Sequence, residues 1–278
     1  MKLLKNIILI FGIFFLTSCE RLDLSKSPKI FVSIGPLHSF VQELIGTNFL
    51  VGILLPENMD PHTYSPTVKQ MVELNHSKIF FHTGMLFDKL LLEGFITNDV
   101  NCIDVSTGIE LISNDESEEH DPHYWLAPQC MRIILKNIYD VLWKLYPSEI
   151  ENINKRWLEL DKKLANLSEN GIMRMNKLSN KSLLTHYSTW KYFAREFGLQ
   201  EIVLQENGKE PCEQHLENII DQIDSYNFKF ITVQPGLSSK LPKVLIENKE
   251  LKIFEINKLS SNYFEIINAM LSELENNE

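Results

Sequence analysis

Apolar and polar positions follow two rhythms along the chain. Short runs of β-branched and aromatic residues, such as residues 29–34 (KIFVSI) and 49–55 (FLVGILL), predict strands that are buried on both faces of a sheet. Segments with apolar residues every three or four positions, such as residues 37–45, predict helices. The two patterns alternate over residues 28–146 and again over residues 179–278. We therefore expect an α/β protein with two lobes, each with a mostly parallel sheet flanked by helices.

The same reasoning gives the remaining elements of both lobes. Further strands are predicted at residues 78–81, 100–105, 181–185, 201–204, 228–233 and 251–256. Further helices are predicted at residues 68–74, 86–95, 128–145, 189–197, 211–225, 241–248 and 263–274. Gly35-Pro36 is interpreted as a break between the first strand and the first helix.

One long, rigid helix is predicted to join the lobes over residues 147–178. Its apolar residues follow each other at intervals of three and four, which forms one stripe on a helix: Ile150, Ile153, Trp157, Leu160, Leu164 and Leu167. Ser148 is the expected N-cap, and Gly171 leaves the far end of the helix open because glycine weakens a helix. The stripe is too short to favour a coiled-coil dimer, so we expect a monomer with the helix packed along the protein.

The first 18 residues have the pattern of an export signal. Two lysines precede an apolar run over residues 7–16, which is shorter than the about 20 residues that a membrane-spanning helix needs. Residues 16–19 (LTSC) match the lipobox of bacterial lipoproteins. We expect Cys19 to carry a lipid and residues 19–27 to form a tether, at the cell envelope and facing the periplasm or the cell exterior. The alternative is an ordinary secretory signal.

Composition adds a charge argument. The 278 residues contain 27 Lys and Arg against 37 Asp and Glu, a formal net charge of −10. This acidic balance argues against nucleic acid as a partner and is compatible with a cation.

The spacing of the cysteines outside the signal matches no metal-binding motif; they are Cys102, Cys130 and Cys212. They allow at most one disulfide, its pairing is open, and we interpret them by default as buried apolar residues.

Three histidines lie just beyond predicted strands. His62 and His123 each end an Asp-Pro-His triplet, and His186 follows the strand at residues 181–185. Because ligands of parallel α/β sheets bind outside the carboxyl ends of the strands, these imidazoles are candidates for one transition-metal site. A single histidine is more often an ordinary surface or core residue, and the repeated triplet is what favours ligation. No such setting surrounds His38, His76, His82 and His215, and His120 lies in an acidic loop, where it could meet the metal transiently but is interpreted as a solvated surface residue.

Several longer motifs strengthen this hypothesis. They are VSIGPLHSF at residues 32–40, LLP at 54–56, DPHTYSPT at 60–67, DPHYWL at 121–126 and HYSTWKYFAREFGL at 186–199. Together with the lipobox and the long helix, they resemble the metal-binding lipoproteins of zinc and manganese ABC importers, the solute-binding proteins of family 9 (cluster A-I). The resemblance implies that His62, His123 and His186 bind the metal and that an ABC importer permease receives it.

The resemblance also implies a fourth ligand, at which this chain differs. Relatives carry an aspartate before Pro-Leu after the last strand, and this chain has Asn257 there, in residues 255–259 (EINKL). An amide oxygen is a poorer ligand for a transition metal than a carboxylate. Asn257 could bind weakly, Glu255 could replace it, or a water could complete the site. Gln234 is a second departure, because many relatives have Glu there.

The choice of metal follows from two opposing features. The short acidic loop over residues 114–120 is common among manganese binders of the family, whereas three imidazoles without a firm carboxylate favour zinc. We expect zinc, with manganese or ferrous iron as alternatives.

The rival functions are a zinc hydrolase, a surface adhesin and a siderophore- or haem-binding protein. No HExxH motif is present and Glu255 is the only candidate base, so we do not expect an enzyme.

Overall fold

The structure, a computed structural model, describes residues 27–113, 120–205, 213–235 and 251–277. Within them are two sheets, each of four parallel strands. The first contains β1 (Ile30–Val32), β2 (Val51–Ile53), β3 (Ile79–His82) and β4 (Asn101–Asp104), in the order β2-β1-β3-β4. The second contains β5 (Ser182–Tyr187), β6 (Gln200–Gln205), β7 (Phe230–Val233) and β8 (Lys252–Glu255), in the order β6-β5-β7-β8. The expectation of two parallel α/β lobes is confirmed.

The helices agree closely with the apolar periodicity. The α-helices of the described residues are α1 (Gly35–Ile45), α2 (Val68–Asn75), α3 (Leu86–Gly94), α4 (Pro128–Leu145), α5 (Ile150–Met175), α6 (Lys191–Phe197), α7 (Glu213–Tyr226) and α8 (Tyr263–Asn276). Short 3-10 turns lie at His123–Leu126 and Pro147–Glu149. None of the helices within these described ranges is long and apolar enough to cross a membrane.

The start of α1 corrects one prediction. Gly35-Pro36 does not separate strand and helix, because α1 already begins at Gly35. Pro36 fits the first turn of a helix, where its missing N–H would have no partner inside the helix. A Cβ at Gly35 would collide with the carbonyl oxygen of Leu259 from the second lobe. The glycine therefore allows a close approach between the two lobes.

The long helix joining the lobes is α5, and its N-terminus differs from the prediction. Ser148 is not the N-cap: it lies in the 3-10 turn before α5, and Glu149 occupies the cap position without a side-chain hydrogen bond. The helix continues through Gly171 to Met175. A Cβ at Gly171 would collide with the Phe197 ring and come within 3.2 Å of Leu271. The glycine is thus a point of close packing between α5 and the second lobe, not a break.

The apolar stripe of α5 faces the protein interior. Ile153, Leu160 and Leu164 are fully buried, and α5 packs against α1 and α4 of the first lobe and α6 and α8 of the second. One hydrophobic core therefore extends from the first sheet along α5 to α8. A smaller core that includes Leu184 and Ile223 lies within the second lobe. Packing of the helix within one molecule is confirmed, and the lobe limits at residues 146 and 179 stay predictions.

Some predictions lie outside the described residues. These are the signal over residues 1–18, the lipid anchor at Cys19, the tether up to residue 26, the acidic loop at residues 114–119, the helix at residues 241–248 and the thiol of Cys212. Within the described part, Cys130 is buried and Cys102 is half-buried, and both are free thiols.

Candidate metal site

The two Asp-Pro-His triplets form the same local structure. The Oδ1 atom of Asp60 accepts a hydrogen bond from the backbone N–H of His62 at 2.9 Å, and Asp121 does the same for His123 at 2.8 Å. In each case an aspartate closes a turn on the residue two positions ahead. His62 lies in the segment between β2 and α2, and His123 begins the 3-10 turn before α4. The repeat in the sequence therefore gives the backbone at both histidines of the first lobe the same turn.

The imidazole of His123 is oriented further by its own aspartate. Its Nδ1 lies 2.9 Å from Asp121 Oδ1, and the side chains of His123 and Asp121 are 16% and 3% exposed. Because a carboxylate accepts only, Nδ1 carries the proton and Nε2 is left as the acceptor. Burial, together with the charge of Lys258, lowers the pKa of His123 below its usual value. The ring is therefore neutral near pH 7, which is the form that binds a metal.

The second nitrogen of His123 has an unexpected neighbour. The Nζ atom of Lys258, which follows β8 in the second lobe, lies 3.0 Å from His123 Nε2. Burial lowers the pKa of Lys258 to about 8, although the carboxylates of Asp121, Glu201 and Asp60 act in the opposite direction. Nothing in the local sequence pattern around Lys258 predicts this contact, which joins residues 135 positions apart.

The other two histidines occupy different environments. His62 is exposed, and it is close enough to His123 for its charge to lower the pKa of that residue. His186 was predicted to follow its strand but lies inside β5, where it is 1% exposed and its ring centroid is 4.1 Å from that of Tyr187. In the part of the chain that the structure describes, no three His, Cys, Asp or Glu side chains are grouped closely enough to hold a metal ion. The three-histidine site therefore stays a prediction.

The side chain of Asn257 makes hydrogen bonds at the boundary of the lobes. Its Nδ2 donates to the backbone oxygen of Glu57 in the first lobe at 3.0 Å, and its Oδ1 accepts from the backbone N–H of Leu259 at 3.0 Å. Gln234 Nε2 lies 3.4 Å from the same Oδ1. Glu255, the other candidate for the fourth position, is the exposed last residue of β8.

Further hydrogen bonds join the lobes around His123. Trp125 Nε1 donates to the backbone oxygen of Lys258 at 3.1 Å. The hydroxyl of Tyr192 donates to the backbone oxygen of Asp121 at 2.9 Å and accepts from the backbone N–H of Ile112 at 2.9 Å. These bonds fix the backbone on both sides of the His123–Lys258 contact and hold the two lobes together here.

A half-buried carboxylate supports the segment that follows His186. Glu201 Oε1 accepts hydrogen bonds from the backbone N–H groups of Thr189 and Trp190 at 3.1 and 3.0 Å, and from Thr185 Oγ1 at 3.0 Å. Burial raises the pKa of Glu201, and these bonds oppose the rise. Sequence reasoning missed Glu201, because within the β6 pattern it looks like any polar strand residue.

Comparison with known proteins also indicates a metal-binding protein. The model of the family described as zinc-uptake complex component A, periplasmic (ZnuA), matches residues 30–277. The high-affinity zinc uptake system protein ZnuA of Bacillus subtilis is 25% identical over 259 residues, which cover 84% of this chain and 80% of that protein.

Two further comparisons set the extent of the likeness. The zinc-binding protein AdcA of Streptococcus pyogenes is 22% identical over 286 residues, covering 92% of this chain and 55% of AdcA, so the chain spans about half the length of such relatives. A solved crystal structure of a ZnuA has a TM-score of 0.84 at 24% identity and covers 91% of this chain and 99% of that one. At this identity the structural likeness supports the fold.

Proposed function

The chain belongs to the periplasmic zinc-uptake component A (ZnuA) family, and from this premise we propose that it captures zinc outside the cytoplasm and delivers it to the permease of an ABC importer. The observation that carries the proposal is the state of His123. Asp121 holds the proton on Nδ1, burial lowers the pKa of the ring, and Nε2 keeps its lone pair at the boundary between the lobes, where Lys258 Nζ lies 3.0 Å from it.

His62, His123 and His186 are the proposed zinc ligands. Zinc is commonly bound by three neutral imidazoles and one further ligand. His62 is exposed and lies on the same side of the first lobe as His123, near enough for its charge to act on that residue, and it would supply the second imidazole. His186 would join them from the second lobe, and metal binding would then connect the two lobes. The fourth position falls to Asn257, to Glu255 or to a water.

The proposed preference for zinc rests on donor chemistry. Manganese and ferrous iron, the alternatives, favour sites with more oxygen donors than three imidazoles provide. The amide of Asn257 makes hydrogen bonds to Glu57 and Leu259, which a metal would have to replace. Carboxylates are nevertheless close to the site, because Asp60 and Asp121 each precede a candidate ligand.

The proposed function also includes where the protein acts and in which oligomeric state. A lipid on Cys19 would anchor the protein at the cell envelope, and the chain would act there as a monomer. It would carry its metal as cargo and catalyse no reaction. Membership of an uptake family supports this role over those of a hydrolase or an adhesin.

The experiment is a titration of the metal-stripped full-length chain with zinc, manganese and calcium, followed by calorimetry. The proposal predicts one zinc per chain, bound more tightly than manganese, and no calcium. Tighter manganese than zinc would contradict the choice of metal. Failure to bind any transition metal would contradict metal capture itself.

A further inference from the structure

The contact between Lys258 and His123 occupies the atom that a metal needs. Nε2 of His123 has one lone pair, because Nδ1 carries the proton that Asp121 accepts. Lys258 Nζ lies 3.0 Å from Nε2, at hydrogen-bond distance. A single lone pair cannot bind a zinc ion and accept a hydrogen bond from an ammonium group at once. Metal binding at His123 therefore requires that Lys258 withdraws.

The backbone around Lys258 is held firmly enough to make this contact a built feature. The carbonyl oxygen of Lys258 accepts a hydrogen bond from Trp125 Nε1 at 3.1 Å, across the lobe boundary. On the other side, Asn257 Oδ1 accepts the N–H of Leu259 and closes a turn around Lys258. With its main chain fixed on both sides, only the flexible side chain can move when another cation arrives.

Burial lowers the pKa of Lys258 to about 8, but the carboxylates around it favour its positive charge. Asp121, Glu201 and Asp60 each act on the Lys258 ammonium with their negative charge. Asp121 belongs to the turn that holds His123, and Asp60 to the turn that holds His62. The ammonium therefore neutralises the same carboxylates that would attract a divalent cation into the cleft.

We propose that Lys258 is a tethered competitor of the metal, whose ammonium group holds His123 Nε2 and must be displaced before zinc can bind. This inference rests on the proposed function and adds a device that tunes it. The competitor lowers the affinity for zinc, because each binding event must break the lysine contact. The same ammonium can return to Nε2 as the metal leaves, which favours release to the permease.

The test compares zinc affinities of the full-length chain by competition with a chelator at one pH. Lys258→Met keeps the length of the side chain but removes the ammonium, and Lys258→Arg keeps the charge. Lys229→Met is the matched control, because Lys229 is an exposed lysine of the same lobe whose Nζ contacts Asn227. We expect Lys258→Met to bind zinc about 10- to 100-fold more tightly, as for loss of a charged hydrogen bond. Lys258→Arg should bind no more tightly than wild type, and Lys229→Met should match it.

Thermal unfolding of the same variants without metal separates competition from a structural role. Lys258→Met should lower Tm by about 2–4 °C, because three carboxylates lose a positive neighbour, while its zinc affinity rises. A residue with a merely structural role would lose both stability and zinc affinity when replaced.

Each further outcome has one meaning. If wild type binds one zinc and folded Lys258→Met binds it equally or less tightly, the role of Lys258 as a competitor is contradicted. The proposed function as a zinc-binding protein then still stands. If wild type binds weakly or not at all and Lys258→Met binds one zinc, the competitor is supported in its strongest form. If no variant binds zinc, the proposed function and this inference both fail.

Discussion

Asp121 holds His123 at two points, accepting its backbone N–H at 2.8 Å and lying 2.9 Å from its Nδ1, both through the same Oδ1 atom. One contact closes the turn and the other fixes the tautomer of the ring. A carboxylate behind a ligating histidine also makes the ring a better donor to the metal. The arrangement makes Asp121 a positioning residue for the proposed site.

Asp121→Asn should weaken zinc binding about 10- to 100-fold, the usual cost of losing such a partner. The amide can still accept one hydrogen bond, so the fold should persist, but it no longer holds the ring with a negative charge. Zinc calorimetry measures the effect. Asp140→Asn is the control, since Asp140 pairs with Lys136 on the exposed side of α4. Equal zinc affinities in the two variants would contradict the role given to Asp121.

Gly35→Ala tests the close approach of the lobes. The new Cβ would collide with the carbonyl oxygen of Leu259 and come within 3.2 Å of Ser261 N, so the segment carrying Lys258 must shift. We expect a loss of about 1–3 kcal/mol in the free energy of unfolding, as for other overpacked positions, together with weaker zinc binding. Gly94→Ala is the control, because nothing lies within 4 Å of a Cβ there. Urea unfolding should leave Gly94→Ala at least as stable as wild type.

Asn257→Asp tests how the fourth position affects the choice of metal. The carboxylate is a better oxygen ligand, but it gives up the hydrogen bond from Asn257 Nδ2 to Glu57. The lost hydrogen bond affects the binding of zinc and of manganese equally. The ratio of their two dissociation constants therefore reports only the effect of the new carboxylate on metal preference. We expect manganese to gain about tenfold on zinc, because manganese prefers oxygen donors. An unchanged ratio in parallel calorimetric titrations would exclude position 257 from the coordination sphere.

Asp88 gives a pH dependence of stability that is separate from the metal. Its side chain is fully buried, and burial raises its pKa to about 6 from the ordinary value of 3.8, although hydrogen bonds from Thr83 and Met85 oppose the rise. Between these two pH values the folded chain retains a proton that the unfolded chain has released. The free energy of unfolding therefore falls as pH rises through this window, by up to ~3 kcal/mol for this group.

Asp88→Asn removes that titration while keeping an oxygen that can accept the same hydrogen bonds. Urea unfolding at pH 4, 5 and 6 should show wild type losing stability relative to Asp88→Asn as pH rises. A difference between the two proteins that stays constant over the range would show that Asp88 is ionised throughout.

Most of the fold could be predicted because burial imposes a period on the sequence. The two lobes, their parallel strands and the helix from Ile150 to Met175 all follow from apolar spacing. Helix and strand ends were less accurate, since they depend on local contacts. Pro36 fits inside the first turn of α1, and Ser148 is taken up by a 3-10 turn, and neither outcome is visible in the hydrophobic pattern.

In the candidate site, too, the local contacts follow from the sequence and the contacts between distant residues do not. The Asp-Pro-His repeat marks two similar turns in the structure, and a repeated local motif can report them because each turn is a contact between residues two positions apart. The contact of Lys258 with His123 and the hydrogen bond of Asn257 to Glu57 cross the lobes, over 135 and 200 positions. Such contacts depend on the packing of α1 and of the segment after β8. No local pattern reports them, so the sequence alone could not predict that a lysine enters the cleft.

His123 is the proposed zinc ligand at the boundary between the lobes on which the proposed function depends. The most direct test measures zinc stoichiometry and affinity of the metal-stripped full-length chain for wild type, His123→Ala and His76→Ala. His76 is an exposed residue at the end of α2 and serves as the control. We expect one zinc per chain for wild type and His76→Ala, and a loss of at least about 100-fold in affinity for folded His123→Ala. Zinc bound as tightly by His123→Ala as by wild type would contradict the role of His123 as a ligand.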